Sequence, residues 1–156
     1  MDSSHARIAE VLRASQAKLI DRWGEILSAA VSHQVSAPEL RRELEELFTL
    51  IVRTVDGQDE SAAGELRAVL AELSRDRARR GFSPRETAMG VFSLKDAVYE
   101  LVAGSDDLVA EYVVFARTID DLGLYTFETY ATAREQVITD QAESMLELST
   151  PVVRLW

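Results

Sequence analysis

The longest unbroken helical signal in the chain runs from Ser105 to about Ser149, some 45 residues interrupted by a single glycine, Gly123. At about 1.5 Å per residue that is nearly 70 Å of helix. A domain of 156 residues has a radius of gyration of roughly 15 Å and a diameter near 40 Å. The region therefore either bends, with Gly123 in Asp120-Asp121-Leu122-Gly123 the expected place, or leaves the body at its C-terminal end. Both are expected. A Gly inside a helix costs about 1 kcal/mol relative to Ala, which favours a bend there without forcing one.

Elsewhere apolar residues recur at three- and four-residue steps, and no stretch alternates in the manner of a strand before the C-terminal end. The fold class this implies is all-α. Ser3 or Ser4 is placed to cap a first amphipathic segment carrying Ile8, Val11, Leu12, Leu19, Ile20, Trp23, Ile26, Leu27 and Val31, with a kink near Ser15. Pro38, with its fixed φ and no N–H to satisfy, suits a first helical position. It opens a helix whose apolar face is Leu40, Leu44, Leu47, Phe48, Ile51, Val52 and Val55, ending at Asp56-Gly57. A third helix carries Leu66, Val69, Leu70 and Leu73 and finishes in Arg75-Asp76-Arg77-Ala78-Arg79-Arg80. Gly81 is placed to take the left-handed conformation that ends it, with Phe82 folding back onto the last turn. Ser83-Pro84-Arg85-Glu86 reads as a capping box with Pro in the first turn of the next helix. On that helix Phe92, Tyr99 and Val102 are expected to face inward. Ser105 or Asp106 is expected to cap the last one.

After Tyr130 the apolar stripe narrows to Ile138, Met145 and Leu148, with Arg134 and Gln141 interspersed. A seam that narrow wants a partner helix rather than a core. Charge separates this region as well, since Ser105 to Ser149 holds ten acids against Arg117 and Arg134, most of the chain's net charge of -10. That sign argues against nucleic acid and anionic lipid as partners. No apolar run is long enough to span a membrane, and the charged N-terminus is no secretory signal, so a cytoplasmic protein is expected. The absence of Cys removes disulfides, thiolate zinc sites and thiol catalysis. Thr150-Pro151-Val152-Val153-Arg154-Leu155-Trp156 ends the helix at Pro and continues in strand chemistry with no partner strand upstream. The expected organisation is a helical body over residues 1–130, a linker helix over 131–149, and the start of a following β-containing domain over 150–156.

The Arg79-Arg80-Gly81-Phe82-Ser83-Pro84-Arg85-Glu86 corner, the Leu94-Lys95-Asp96-Ala97 turn and the exit Met145-Leu146-Glu147-Leu148-Ser149-Thr150-Pro151-Val152-Val153-Arg154-Leu155-Trp156 resemble the N-terminal sensory domain of RsbR-type stressosome proteins. These are also described as RsbT co-antagonist N-terminal domains. The resemblance implies a globin-like helical bundle, generally without haem, whose long C-terminal helix leads into a STAS domain. It implies a non-enzymatic sensory and dimerisation module of a stress-response regulator, acting in an anti-sigma and anti-anti-sigma pathway. Its partners would be a second copy, other stressosome subunits, and a serine kinase or switch protein held through the STAS domain. The family's phosphorylated threonines belong to the STAS part, so none is carried over to this chain. The alternative is a globin-like domain that binds a small ligand or haem and controls a different output, such as a DNA-binding regulator.

Haem ligation needs an axial ligand on a mid-chain helix, and between Arg75 and Ala103 there is neither His nor Cys. His5 and His33 lie near a terminus and at a helix end and are read as exposed or capping. Carboxylate-bridged metal sites need Glu-x-x-His pairs on facing helices, and the chain offers Asp2-x-x-His5 alone. No catalytic, metal or cofactor residue is assigned. The arginines from Arg75 to Arg85 are the one basic patch, able to bind phosphate or an acidic partner but better suited to offset a helix C-terminus and cover apolar surface, and in a dimer to meet the acidic last helix. Phe92, Tyr99, Tyr112 and Phe115 are the candidate walls of a small-ligand pocket, on the expectation that the fourth and fifth helices are neighbours. Ile138, Met145 and Leu148 are the candidate dimer and signal seam.

Overall fold

A computed structural model describes residues 3–31 and 34–154, with side chains described outside 30–31 and 149–154. Six helices follow one another: α1 (Ser3–Ala14), α2 (Gln16–Val31), α3 (Ala37–Asp56), α4 (Ala62–Arg79), α5 (Pro84–Val102) and α6 (Val109–Arg154). A short 3-10 turn, Asp106–Leu108, precedes α6, and no strand occurs among the described residues. The protein is all-α, as its periodicity requires.

Local chemistry sets most of these boundaries. The kink at Ser15 divides α1 from α2. Ser36 takes an extended conformation and its hydroxyl accepts the Glu39 amide at 3.2 Å, with Pro38 in the first turn and Gly57 closing α3 at φ 74°. After α4 the Phe82 amide donates to the Arg77 carbonyl at 3.0 Å and the Gly81 amide to the Ala78 carbonyl at 3.2 Å. This is a Schellman closure with Gly81 at φ 82°. The reciprocal box follows at once: the Glu86 amide donates to Ser83 Oγ at 3.1 Å, and the Ser83 amide donates to Glu86 Oε1 at 2.9 Å. That amide holds the Glu86 carboxyl below its ordinary range.

The core is built on Trp23, Phe48, Phe82 and Phe115, all fully buried. Against α6 lie α4 and α5, with α1 on its N-terminal part; α3 packs on α1, α2 and α4, and α2 on α5. The Trp23 indole N–H donates to the Gly90 carbonyl at 2.9 Å, which a core tryptophan needs for its one polar atom.

Four expectations are corrected. First, α6 is a single helix of 46 residues with no break at Gly123. A Cβ at that position would meet the Phe92 ring carbons at 2.3–2.7 Å, so the glycine serves close approach of α5 rather than a bend. Second, Tyr99 does not face inward: it is 56% exposed, whereas Val102 is buried and Phe92 half-buried. Third, Ser105 makes no side-chain cap; its carbonyl accepts the Leu108 amide at 3.1 Å, closing the 3-10 turn instead. Fourth, the helix continues through Pro151 to Arg154 where an extended segment was expected. With no strand among the described residues to pair with it, helix is the conformation in which the amides of Val152, Val153 and Arg154 find carbonyl partners one turn earlier in their own chain. Leu155, Trp156, His33 and Asp2 lie outside the described residues.

Gly81 carries the α4–α5 corner. Gly81→Val forces a β-branched residue to positive φ and is expected to destabilise the protein by more than about 1 kcal/mol. Thermal unfolding checks this, and an unchanged midpoint would contradict the left-handed assignment.

Candidate functional site

The site that the fold creates is a surface of α6. Its buried side is set by Phe115, Ile119, Leu122, Thr126, Tyr130 and Ala133. On the α4 side, hydroxyls do part of the packing: the half-buried Thr129 donates to Ser74 Oγ at 3.0 Å, and the buried Ser74 donates to the Leu70 carbonyl at 2.8 Å. On the α5 side, Lys95 Nζ meets Asp120 Oδ1 at 2.5 Å, with the ammonium 5.6 Å from the Phe92 ring centre. In its first turn, Glu111 is buried and reached by Arg7 at 3.5 Å, with Arg7 also 2.8 Å from Asp107. The anchor at the far end is Tyr130, whose hydroxyl donates to the Phe82 carbonyl.

The opposite side of α6 is apolar and uncovered. Val109, Val113, Leu124, Phe127, Ile138, Met145 and Leu148 are all exposed, Met145 by 71% and Leu148 by 77%. At about 100° per residue, those from Val109 to Met145 fall within an arc of roughly 60°. From Leu124 onward the spacing is that of a heptad seam: Leu124, Phe127, Ala131, Arg134, Ile138, Gln141, Met145 and Leu148 alternate steps of three and four. The expected seam residues Ile138, Met145 and Leu148 thus lie on one line, and the line begins in the body. There Met89, exposed on α5, joins Phe127, Phe92, Ala88 and Pro84 in an apolar groove of about 500 Å³ beside Arg85. All described side chains from 138 to 148 are exposed, so the helix projects from the body for its last turns.

The four aromatic candidates are brought together only in part. Tyr99 and Tyr112 meet edge to face with ring centres 5.8 Å apart, and burial pushes the Tyr112 phenol up. Phe115 is fully buried in the core, and Phe92 lies against Gly123 and lines the groove at Phe127. A separate cavity of about 540 Å³ opens between α2 and α3 on Ile20, Gly24, Val35, Leu40 and Leu44, and none of the four lines it.

The arginine run divides by burial. Arg77 is buried over the Phe82 ring, 2.5 Å from Glu43 and 2.8 Å from Asp76. Arg80 lies 2.6 Å from Glu39 and donates to the Gln34 carbonyl at 2.7 Å, and this guanidinium holds the Glu39 carboxyl below its ordinary range. The carboxylates of Glu39, Glu43 and Asp76 come within 4.8 Å of one another; Glu43 is engaged by Arg77, Glu39 by Arg80 and Asp76 by both. Arg75, Arg79 and Arg85 are exposed.

The fold is an all-α body whose longest helix closes the core and then projects from it. The chain belongs to the family described as RsbT co-antagonist protein rsbRD N-terminal domain, whose model matches residues 9–145. Membership gives it a stressosome-associated regulatory role, in a family of sensory domains that is not a known enzyme family. The chain matches no curated protein and no solved structure. Among the described residues no helix is long and apolar enough to cross a membrane.

The contact between Gly123 and Phe92 makes a prediction about α6. Gly123→Ala is expected to destabilise by about 1 kcal/mol net, because displacing the ring outweighs the gain in helix propensity. In a Phe92→Ala background the same change is expected to stabilise by about 1 kcal/mol. Denaturant unfolding of the four proteins of this double-mutant cycle checks both signs.

Proposed function

We propose that residues 1–130 form a sensory body, that 131–149 are a linker helix, and that 150–156 lead into a STAS-like output domain. Two copies of this cytoplasmic, non-enzymatic module pair along α6. An input perceived by the body is passed through the paired helices to STAS domains, which hold or release a serine kinase or switch protein within a stressosome. The observation that carries this reading is the exposed line on α6 from Leu124 to Leu148, apolar except at Arg134 and Gln141, on the same helix whose other side closes the core. A helix with both roles can couple body and output, because any change in how α4 and α5 hold it alters the position of its projecting end. An effector acts through it only by favouring one of two arrangements, since equal affinity for both shifts nothing. The resemblance of the Leu148-to-Trp156 exit to the segment that joins this family's sensory domain to STAS supports the output assignment.

The test is Met145→Gln with Leu148→Gln. Both side chains are exposed, so unfolding of the body is expected to remain unchanged. The chain should sediment as a dimer at tens of micromolar, and the double variant should dimerise at least tenfold more weakly, about 1.4 kcal/mol. In the protein carrying its output domain, the same variant should lose the stress response. A clean monomer in the unsubstituted chain counts against pairing. A folded variant with normal activation would reduce the exit helix to a tether.

A further inference from the structure

Two positions on the seam of α6 are polar, Arg134 and Gln141. Arg134 lies on the seam line between Ala131 and Ile138, exposed, and Glu135 is exposed next to it. Adjacent residues on a helix do not face each other, so the two cannot pair within one chain. The helix offers neither of them an opposite charge. The positions three and four residues from Arg134 are Tyr130, Ala131, Val137 and Ile138, and those around Glu135 are Ala131, Thr132, Ile138 and Thr139. Elsewhere α6 uses its short-range options, as where Gln136 donates to Asp140 at 2.9 Å.

We propose that α6 pairs with α6 of a second copy in parallel and in register, and that Arg134 of each copy forms an ion pair with Glu135 of the other. The proposal rests on the dimer reading above and adds its orientation and alignment. In the heptad that starts at Leu124, the seam positions Leu124, Ala131, Ile138 and Met145 alternate with Phe127, Arg134, Gln141 and Leu148. A side chain of the second set enters a hole formed by four residues of the facing helix. In a parallel, in-register pair the hole facing Arg134 is formed by Ala131, Arg134, Glu135 and Ile138 of the second copy. That hole contains one carboxylate, and the two-fold axis makes the pair twice. Ala131, the smallest residue on the line, leaves room for both guanidinium stems, which would otherwise be crowded between large apolar layers. Without Glu135 the same layer would set two like charges against each other on helices already rich in acid, since Glu128, Asp140, Glu143 and Glu147 are all exposed here. A polar residue at a single seam position fixes register and partner number at a cost in affinity. The second copy is thus selected by charge as well as by apolar area.

Sedimentation equilibrium on the full chain tests this with Arg134→Glu, Glu135→Arg and the two combined. Each single reversal replaces two attractions with repulsions and should raise the dimer dissociation constant about tenfold. The combined reversal restores opposite charges and should return it to within about threefold of the unsubstituted chain. Because the chain has no Cys, Ile138→Cys reports orientation directly. A parallel, in-register pair brings this position close to its own copy and should cross-link on oxidation, whereas Glu143→Cys, off the seam, should not. Single reversals without effect, a combined variant as weak as its parts together, or no Ile138→Cys cross-link would overturn the alignment while leaving a dimer in place. A chain that stays monomeric at a hundred micromolar would overturn the dimer reading itself, and the alignment with it.

Discussion

The hydrogen bond from the Tyr130 hydroxyl to the Phe82 carbonyl is the tie on which the rest of the arrangement depends. Phe82 completes the Schellman closure of α4 through its amide and stands just before the Ser83 cap of α5, so its carbonyl belongs to the corner between them. The ring of Phe82 is covered by the buried Arg77 guanidinium, which is paired with Glu43 on α3. Four helices are thus joined within a few residues. A buried guanidinium contributes little net stability once its desolvation is counted, yet losing one partner alone is costly because the other is left uncompensated. The corner therefore specifies one arrangement of α3, α4, α5 and α6 more than it deepens the energy minimum.

Features whose cause is local were legible in the sequence. Pro38, Gly57, Gly81 and the Ser83–Glu86 box each act within a turn of where they stand, and the apolar faces of α3 and α5 follow from their own period, whereas the Ser36 cap was not read from the sequence. Gly123 was not legible, because a glycine that permits a bend and one that permits close approach look identical until the facing residue is known. Here that residue is Phe92, thirty-one positions earlier. Tyr99 was misplaced for a related reason: apolar periodicity gives the face of a helix but not how far its edge is covered, and the edge of α5 carrying Tyr99 lies open. The Ser74–Thr129 contact carried no signal at all, since neither residue departs from what a solvated helix position permits.

The seam shows the same division. Ile138, Met145 and Leu148 stood out because little else around them is apolar. Leu124 and Phe127 did not, since in that part of the chain apolar residues are expected in the core, and only the fold reveals that these two face away from it. Joining the two sets changes the character of α6. It is one surface, continuous from the body to the projecting turns, so pairing outside the body and packing inside it act on the same rigid element.

The absence of a break at Gly123 has a mechanical consequence. As one helix, α6 runs from the buried Ala133 to Arg154 over roughly 30 Å, and the only amide missing from its ladder along that length is that of Pro151, close to the tip. It is a lever arm whose fulcrum lies where Tyr130 and Ala133 are gripped. A tilt of about 5° at that fulcrum, no more than a small repacking of side chains, carries the tip through about 3 Å over such a length. Amplification of this kind needs no large rearrangement of the body, and it is lost if the arm is hinged.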